Sequence, residues 1–534
     1  METPRNRLNR LILVSALAFA SAVAHAATYY VSTTGNDKNS GTSSTAPWKT
    51  IAKVNASSFS AGDQVLFKAG QSFSGTLELT TNTSGTATAP VVISTYGSGR
   101  ATISAGSGSG IVIYNVGGVS LSNLKVVGGW NAYTQSGNTG GGIYFYTDLT
   151  GGQRLPSIWI SSCEVSGFKT GGIIFGSYPS DGSQSGVAGV SVTYASTHDN
   201  GDNGLSSWGP SASAGSTAYA FTQVYIGWVT CYNNQGVANK GSHSGDGIVV
   251  GDVSGGTIEH CVAYSNGAKN NYQSSGPAGI WAWDSNAVTI QYCESHHETT
   301  GAGTVDGDGF DLDGGTTNCV MQYNYAHDNR GAGLLVYEYG DTRANNSGNV
   351  VRFNVSQNDS SNPSYASILL GGNCTNDRIY NNTVYNAAHR AVVVAGGTGN
   401  WFINNIFFTN GSGNDTAYIT TTACWFLNND YWPGRYAQRI SYMGKVYSSL
   451  AAFQATGQET WNGTPYGFAV SPSLSAPGSG GNVNSGTPSS MTCYELDSGS
   501  PLLGAGIDLS AWGIDMGGSD FYLRTVPPVN IGAY

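Results

Sequence analysis

Asp306, Asp308, Asp311 and Asp313 fall within eight consecutive residues of a chain in which only 10% of residues are charged. On a β-strand successive side chains point to opposite faces, so Asp311 and Asp313 share one face while Phe310 and Leu312 take the other. Two like charges on one face repel and are disfavoured unless something is gained by holding them together. Their Cα atoms would stand about 6.6 Å apart. That is close to the roughly 6.5–9.5 Å carboxyl separation of inverting glycosidases and, with rotamer freedom, within reach of the shorter retaining distance. Mutual repulsion and the nearby Trp281 and Trp283 are expected to raise one carboxyl pKa, leaving a protonated acid beside an ionised base. Asp308, just before the strand, and Glu338, one repeat later, are further candidates for the second carboxylate.

The strand that must carry these acids is one copy of a repeat. Gly247-Ile248-Val249-Val250, Gly279-Ile280-Trp281-Ala282, Gly309-Phe310-Asp311-Leu312, Gly333-Leu334-Leu335-Val336, Ser367-Ile368-Leu369-Leu370 and Ala391-Val392-Val393-Val394 align, with earlier copies beginning at Gly142, Gly172 and Gly204. A second strand follows each, and its aligned position reads Cys163, Ala195, Val229, Cys261, Cys293, Asn324, Asn354, Asn382 and Asn405. The last four predict an asparagine ladder of structural rather than catalytic meaning. His198, His296 and His327 share one position of a third strand, with Tyr232 and Tyr264 between them, and predict a stacked structural ladder. Three short strands per repeat indicate an all-β solenoid, a parallel β-helix. We expect a signal segment at 1–26, a cap and first coils at 27–105, the coils with a substrate groove at 106–410, and closing coils and cap at 411–534. Within the cap, Trp48 to Val54 reads as a short amphipathic helix and Gln64 to Lys68 as a strand. The Gly/Ser/Pro-rich run from Ser471 to Ser490 reads as a flexible surface segment.

The same register assigns the outward side chains. Tyr144, Tyr146, Trp208, Trp281, Trp283 and Tyr337 surround the acids, and flat aromatic rings suit the apolar C–H faces of sugars. Asp246 precedes its strand at the border of this track, and His243, with Lys240, lies in an insertion that would hang over it. Asp252 and Asp284, at strand ends, read as turn residues.

Arg5, Arg7 and Arg10, an apolar run from Leu11 to Val23, and Ala24-His25-Ala26 have the form of a secretory signal cleaved after about Ala26. A secreted or periplasmic location is therefore expected. Removing those three arginines and Glu2 takes the formal charge of −10 to −12, which argues against a nucleic acid or an anionic membrane as partner. Cys261 and Cys293, on adjacent coils about 4.8 Å apart, are within disulfide reach, or are two buried thiols. Cys424 and Cys493 are a second candidate pair.

The coil pattern, the opening Ala27-Thr28-Tyr29-Tyr30-Val31-Ser32 with Gly35-Asn36-Asp37, and the ending Asn530 to Tyr534 resemble secreted right-handed parallel β-helix polysaccharide lyases and glycoside hydrolases. Asp308-Gly309-Phe310-Asp311 resembles the calcium-binding Asp-Asp-Gly-Phe-Asp run of ninth-family pectate lyases, with Gly307 in place of the first aspartate. The same segment resembles the Gly-Phe-Asp-Pro-His run of alginate epimerases, with Leu312 and Asp313 for Pro-His. The lyase resemblance implies a lysine base on a later coil, yet no lysine occurs between Asn271 and Gly444. Arg330, Arg343 and Arg390 are candidates to substitute, Lys240 and Lys269 lie upstream of the motif, and Arg330 is also placed at the substrate.

These features predict a monomeric, exported, endo-acting glycoside hydrolase acting on a polysaccharide or oligosaccharide without a cofactor, through Asp311 and Asp313 supported by Asp308 or Glu338. The alternatives are a lyase acting by β-elimination on a uronate-containing glycan, with Ca²⁺ on Asp308, Asp311 and Asp313, and a non-catalytic glycan-binding solenoid.

Overall fold

The computed structural model describes residues 26–534 apart from Gly303, Asp341 and Pro527. The predicted signal segment, save Ala26, lies outside the described residues. Strands, all but one of three to eight residues, stack into three long sheets in which all pairings are parallel except the last, of Ile440–Tyr442 with Lys445–Tyr447. Inward positions are apolar and fully buried, as in Val119–Ser122 and Ile158–Ser161, where buried and half-exposed residues alternate. One continuous core fills the solenoid from Val31 to Phe453. The cap contains the helix Ile51–Asn55, N-capped by Thr50, and the strand Gln64–Lys68. Parallel pairing continues past residue 411, through Ala417–Ile419, Trp425–Leu427, Asp430–Trp432 and Ile440–Tyr442.

One device turns the chain at all three corners of a coil. A residue in the left-handed region is followed by a buried side chain that accepts a hydrogen bond from the backbone N–H of its counterpart one coil earlier. At the corner holding the predicted ladder, Asn123, Ser162, Tyr194, Trp228, His260, Tyr292, Tyr323, Phe353, Asn381, Asn404 and Asn428 all have φ between 51° and 60°. From Cys261 onward the residues that follow them form the ladder: Cys293 N–H donates to Asn324 Oδ1 (3.0 Å), Asn324 to Asn354 (3.0 Å), Asn354 to Asn382 (3.1 Å), Asn382 to Asn405 (3.0 Å) and Asn405 to Asn429 (3.0 Å). Two further ladders were not anticipated. One runs Asn200, Asn234, Asn266, Glu298, Asn329, Asp359, and the other Cys319, Asn349, Asp377, Asn400.

Left-handed backbone costs a non-glycine residue of order 1–3 kcal/mol, and stacking offsets it. The rings of Tyr194, Trp228, His260, Tyr292, Tyr323 and Phe353 follow one another at 4.3 to 6.3 Å. The predicted column of His198, Tyr232, Tyr264, His296 and His327 stacks at 4.7 to 5.0 Å. Cys261 and Cys293 stand in the first ladder as thiols, the Cys261 N–H donating to Cys293 Sγ at 3.4 Å. All eight cysteines are buried and free, Cys424 and Cys493 included.

The Ser471–Ser490 stretch is not a free linker, because side chains of the coils supply partners for its backbone. Gly480 N–H donates to Gln357 Oε1 (2.9 Å), Val483 N–H to Glu294 Oε1 (2.6 Å), and His260 Nδ1–H to the Gly486 carbonyl (2.5 Å). The segment thus climbs back over several coils before the closing residues pack on Tyr325, Val355 and Ile406.

Asn354→Ala removes the acceptor of the Asn324 N–H and the donor to the Met321 carbonyl. We expect a loss of about 1–3 kcal/mol, read as a lower urea midpoint at unchanged slope.

Candidate active site

The acids stand on the 14-stranded sheet. Its cross-coil register places Tyr144, Ile174, Ser206, Val249, Trp281, Asp311 and Leu335 in one outward row. The next row holds Tyr146, Gly176, Trp208 and, further on, Gly251, Trp283, Asp313, Tyr337 and Gly371. In this row aromatics alternate with glycines for a steric reason. A Cβ on Gly176 would collide with the ring of Trp208, one on Gly251 with Trp283, and one on Gly371 with Tyr337. Each ring therefore lies down over the neighbouring coil instead of standing up from the sheet. Where the alternation calls for a glycine between Trp283 and Tyr337, the chain has Asp313.

These residues open into a cleft of about 570 Å³ lined by His243, Trp281, Trp283, Asp306, Asp308, Asp311, Asp313, Tyr337, Tyr339 and Tyr365, among others. Asp308 is the first residue of the strand Asp308–Leu312, and Asp313 lies one residue past its end. The Asp313 N–H still donates to the Ala282 carbonyl (2.9 Å), which keeps its side chain in register. Asp308 accepts from the backbone N–H of Ala332, as Asp246 two coils earlier accepts from that of Ala278 (3.3 Å). Asp311 is buried and its Oδ1 has no hydrogen-bond partner. Burial and then the charge of Asp313 push the Asp311 carboxyl well above the ordinary range, and burial and then Asp306 do the same to Asp308. Burial raises Asp313, which is partly open to the cleft, to about 7.

Asp306 is in the cleft as well, although the sequence reading left it in the preceding loop. It has φ 66°. Its carboxylate accepts from the Tyr365 hydroxyl (2.5 Å) and the Gly276 N–H (2.5 Å). Burial raises its pKa while those two donors oppose the rise. Tyr339, Tyr365 and Tyr272 line the cleft and were not anticipated. Tyr339 is two residues beyond Tyr337, on the alternating face that period-two reading would have extended. Tyr365 occupies the turn before the strand Ile368–Thr375, much as Asp306 occupies the turn before its own strand two repeats earlier.

His243 hangs over the groove as predicted. Its Nδ1 lies 3.0 Å from Asp246 Oδ2, and its ring meets Trp281 edge-on at 5.1 Å. Burial opposes the imidazolium, but Asp246 outweighs it and holds His243 above its ordinary value. Asp246 Oδ1 also accepts from Trp281 Nε1 (3.0 Å). Trp281 is only 5% exposed, so it forms a wall, whereas Trp283 and the 40% exposed Tyr337 offer platforms. Tyr144, Trp208, Asp246 and Lys240 line a second hollow of about 230 Å³, which shares His243 and Trp283 with the first. Tyr146 packs between Tyr144 (5.9 Å) and Trp208 (6.1 Å).

Two predicted site residues serve the scaffold instead. Glu338 accepts the N–H groups of Gly315 (3.1 Å), Gly340 (2.5 Å) and Asn346, so both carboxylate oxygens are occupied holding turns. Arg330 reaches the carbonyls of Thr304 (3.2 Å) and Gly301 (3.5 Å), steadying the loop before Asp306, and is not among the cleft-lining residues. The other arginines considered as bases are also engaged. Buried Arg343 pairs with Asp252 and with Asp284 (2.9 Å). Arg390 faces Asp415 and the ring of Tyr418. Asp252 and Asp284 are turn residues with φ 59° and 42° and at the same time the counter-ions of Arg343.

A calcium site on Asp308, Asp311 and Asp313 is not supported by the geometry. Among the described residues, the sets that bring three ligand atoms within 4.8 Å of one another are Glu294–His296–His327 and His297–His327–Asp328, not the cleft acids. In the first set His327 already bonds Glu294, and Asn484 bonds both His296 and Glu294.

The model of the right-handed β-helix region matches residues 224–355. A lacto-N-biosidase of Bifidobacterium longum subsp. longum is 24% identical across 64% of this chain and 26% of its own, so the chain spans about a quarter of that curated relative's length. Among solved structures, a GH136 lacto-N-biosidase from Eubacterium ramulus matches with TM-score 0.50 and 18% identity over 75% of this chain and 67% of that one. Pectate lyase Pel9A matches with TM-score 0.44 and 16% identity over 96% and 97%. The protein is a right-handed parallel β-helix with an acid-lined, aromatic-floored cleft on one face.

Proposed function

We propose that the protein is an exported, endo-acting glycoside hydrolase of a neutral oligosaccharide or polysaccharide. The observation that carries this reading is the make-up of the cleft wall. It has four carboxyl groups and flat aromatic rings, with no lysine or arginine among the described residues that line it. A uronate entering there would meet four carboxyl groups and, for a cation, only His243, already paired with Asp246, whereas a neutral sugar would meet a proton donor and a stacking floor. The similarity to lacto-N-biosidases favours the same chemistry, and aromatic rings on both sides of Asp313 favour binding along a chain. Export rests on the N-terminal sequence alone.

In this mechanism Asp313, its carboxyl raised to about 7 by burial, gives its proton to the glycosidic oxygen as the bond to the anomeric carbon breaks. Asp306, whose two donors Tyr365 and Gly276 offset in part the rise that burial causes, is the carboxyl group that stabilises the oxocarbenium-like charge once it has lost its proton. Water then adds to the anomeric carbon and gives its proton to the ionised Asp313, which restores the acid. Asp308 and Asp311, both held well above the ordinary carboxyl range, stay neutral and shape the cleft without repelling Asp306. Asp311 is thereby moved from the catalytic pair to a supporting place.

Asp313→Asn and Asp306→Asn are each expected to lower kcat by about 10²–10⁴-fold with circular dichroism unchanged. Asp311→Asn mimics the neutral acid and should lose less than the roughly hundredfold effect of removing an acid–base group. A polysaccharide panel assayed with and without chelator should show new reducing ends, unchanged by chelation, and no near-ultraviolet absorbance from unsaturated sugars. Equal loss in all three variants would disprove the division of roles.

The acid must carry its proton to act, so the rate should fall as pH rises through about 7, the value given to Asp313 by burial. A basic limb displaced to pH 9 or beyond in the profile of kcat against pH would rule Asp313 out as the donor.

A further inference from the structure

The hollow that shares His243 and Trp283 with the cleft has polar groups of its own that nothing in the protein satisfies. Asn203 is 7% exposed and Ser206 4%. Asn203 Oδ1 and Ser206 Oγ both lack a hydrogen-bond partner, and both residues line the hollow. A buried polar atom without a partner costs about 1–3 kcal/mol, so two in one hollow mark a place where a ligand completes the bonding. Asn203 Nδ2 donates weakly to the Thr170 carbonyl (3.5 Å), which leaves the amide oxygen as a free acceptor. The Ser206 hydroxyl can accept or donate.

Trp208 supplies the apolar floor, because its indole lies over Gly176, where a side chain would displace it. The charges nearby cancel: Lys240 Nζ sits 2.7 and 2.8 Å from the two carboxylate oxygens of Asp202 and 3.0 Å from the His243 carbonyl. Neutral walls, one flat ring and two unpaired hydroxyl-seeking atoms fit a neutral pyranose and reject a charged one. Trp208 is two coils from Trp283, about 9–10 Å at the parallel-strand spacing, on the order of a disaccharide.

We propose that this hollow is a distal sugar-binding subsite. Asn203 Oδ1 and Ser206 Oγ bond the hydroxyls of a neutral pyranose stacked on Trp208, while the next residues of the same chain run over Trp283 to the acids. The assignment rests on the hydrolase reading and adds to it a length preference that the acids alone do not create.

The test separates the two. Asp313→Asn protein is titrated calorimetrically with neutral di-, tri-, tetra- and hexasaccharides drawn from the glycans the wild-type enzyme cleaves, then again with Ser206→Val or Trp208→Ala added. Glycans of four or more residues should lose about tenfold or more in affinity, the scale of a lost stacked ring or unpaired polar contact, and disaccharides should lose little. In the otherwise wild-type enzyme, kcat/KM for the long glycans should fall in parallel in the same single variants. If long glycans bind equally with and without Ser206 and Trp208, the subsite is refuted while the hydrolase reading stands. If the wild-type enzyme cleaves no neutral glycan of the panel, the hydrolase reading and the subsite both fall.

Discussion

The hydrogen bond from the backbone N–H of one coil to a side-chain acceptor on the next is the interaction on which this structure depends. It recurs at three corners, through asparagines, acids and thiols, and it locks the coils around the acid strand in register with one another. A parallel sheet alone would tolerate sliding, since its backbone bonds are evenly spaced. The ladders remove that freedom because a shift of one residue would bury unpaired amides at all three corners. Aligned positions therefore stack over one another from coil to coil, and the surface inherits straight rows of side chains.

The cleft follows from those rows. Aromatic rings can lie flat only because glycines occupy the next coil, and a hydrogen-bonded turn on each side of the acid strand keeps the row straight through Asp313. The carboxyl groups crowd because their strand has neighbours above and below with no counter-charge. The protein relieves the crowding by burial, which favours the neutral acid, at Asp308 and Asp311, and by donors at Asp306. Rigidity pays here for an unfavourable charge arrangement that a looser scaffold would relax.

Much of this was legible in the sequence. Period-two alternation and the coil repeat placed Asp311 beside Trp281 and Leu335, and the pairing Trp281 to Asp311 to Leu335 is what the sheet has. The histidine and tyrosine column was legible for the same reason. Partners were not legible. Alignment put Glu338 on the coil after the acids but could not reveal that three backbone amides claim it. Arg330 likewise found loop carbonyls. Asp306 and Tyr365 meet across 59 residues through the turns before two strands, where no periodicity applies. The glycine- and serine-rich stretch near residue 480 read as flexible by composition, yet Gln357, Glu294 and His260 bind its backbone.

The central claim is that the acid cluster adds water across a glycosidic bond. Cleavage of an active glycan in ¹⁸O-enriched water, with the products weighed by mass spectrometry, tests it most directly. Hydrolysis places one ¹⁸O at each newly formed reducing end and gives no unsaturated sugar. Products that carry no solvent oxygen and end in an unsaturated ring would contradict the account and return the cluster to elimination chemistry.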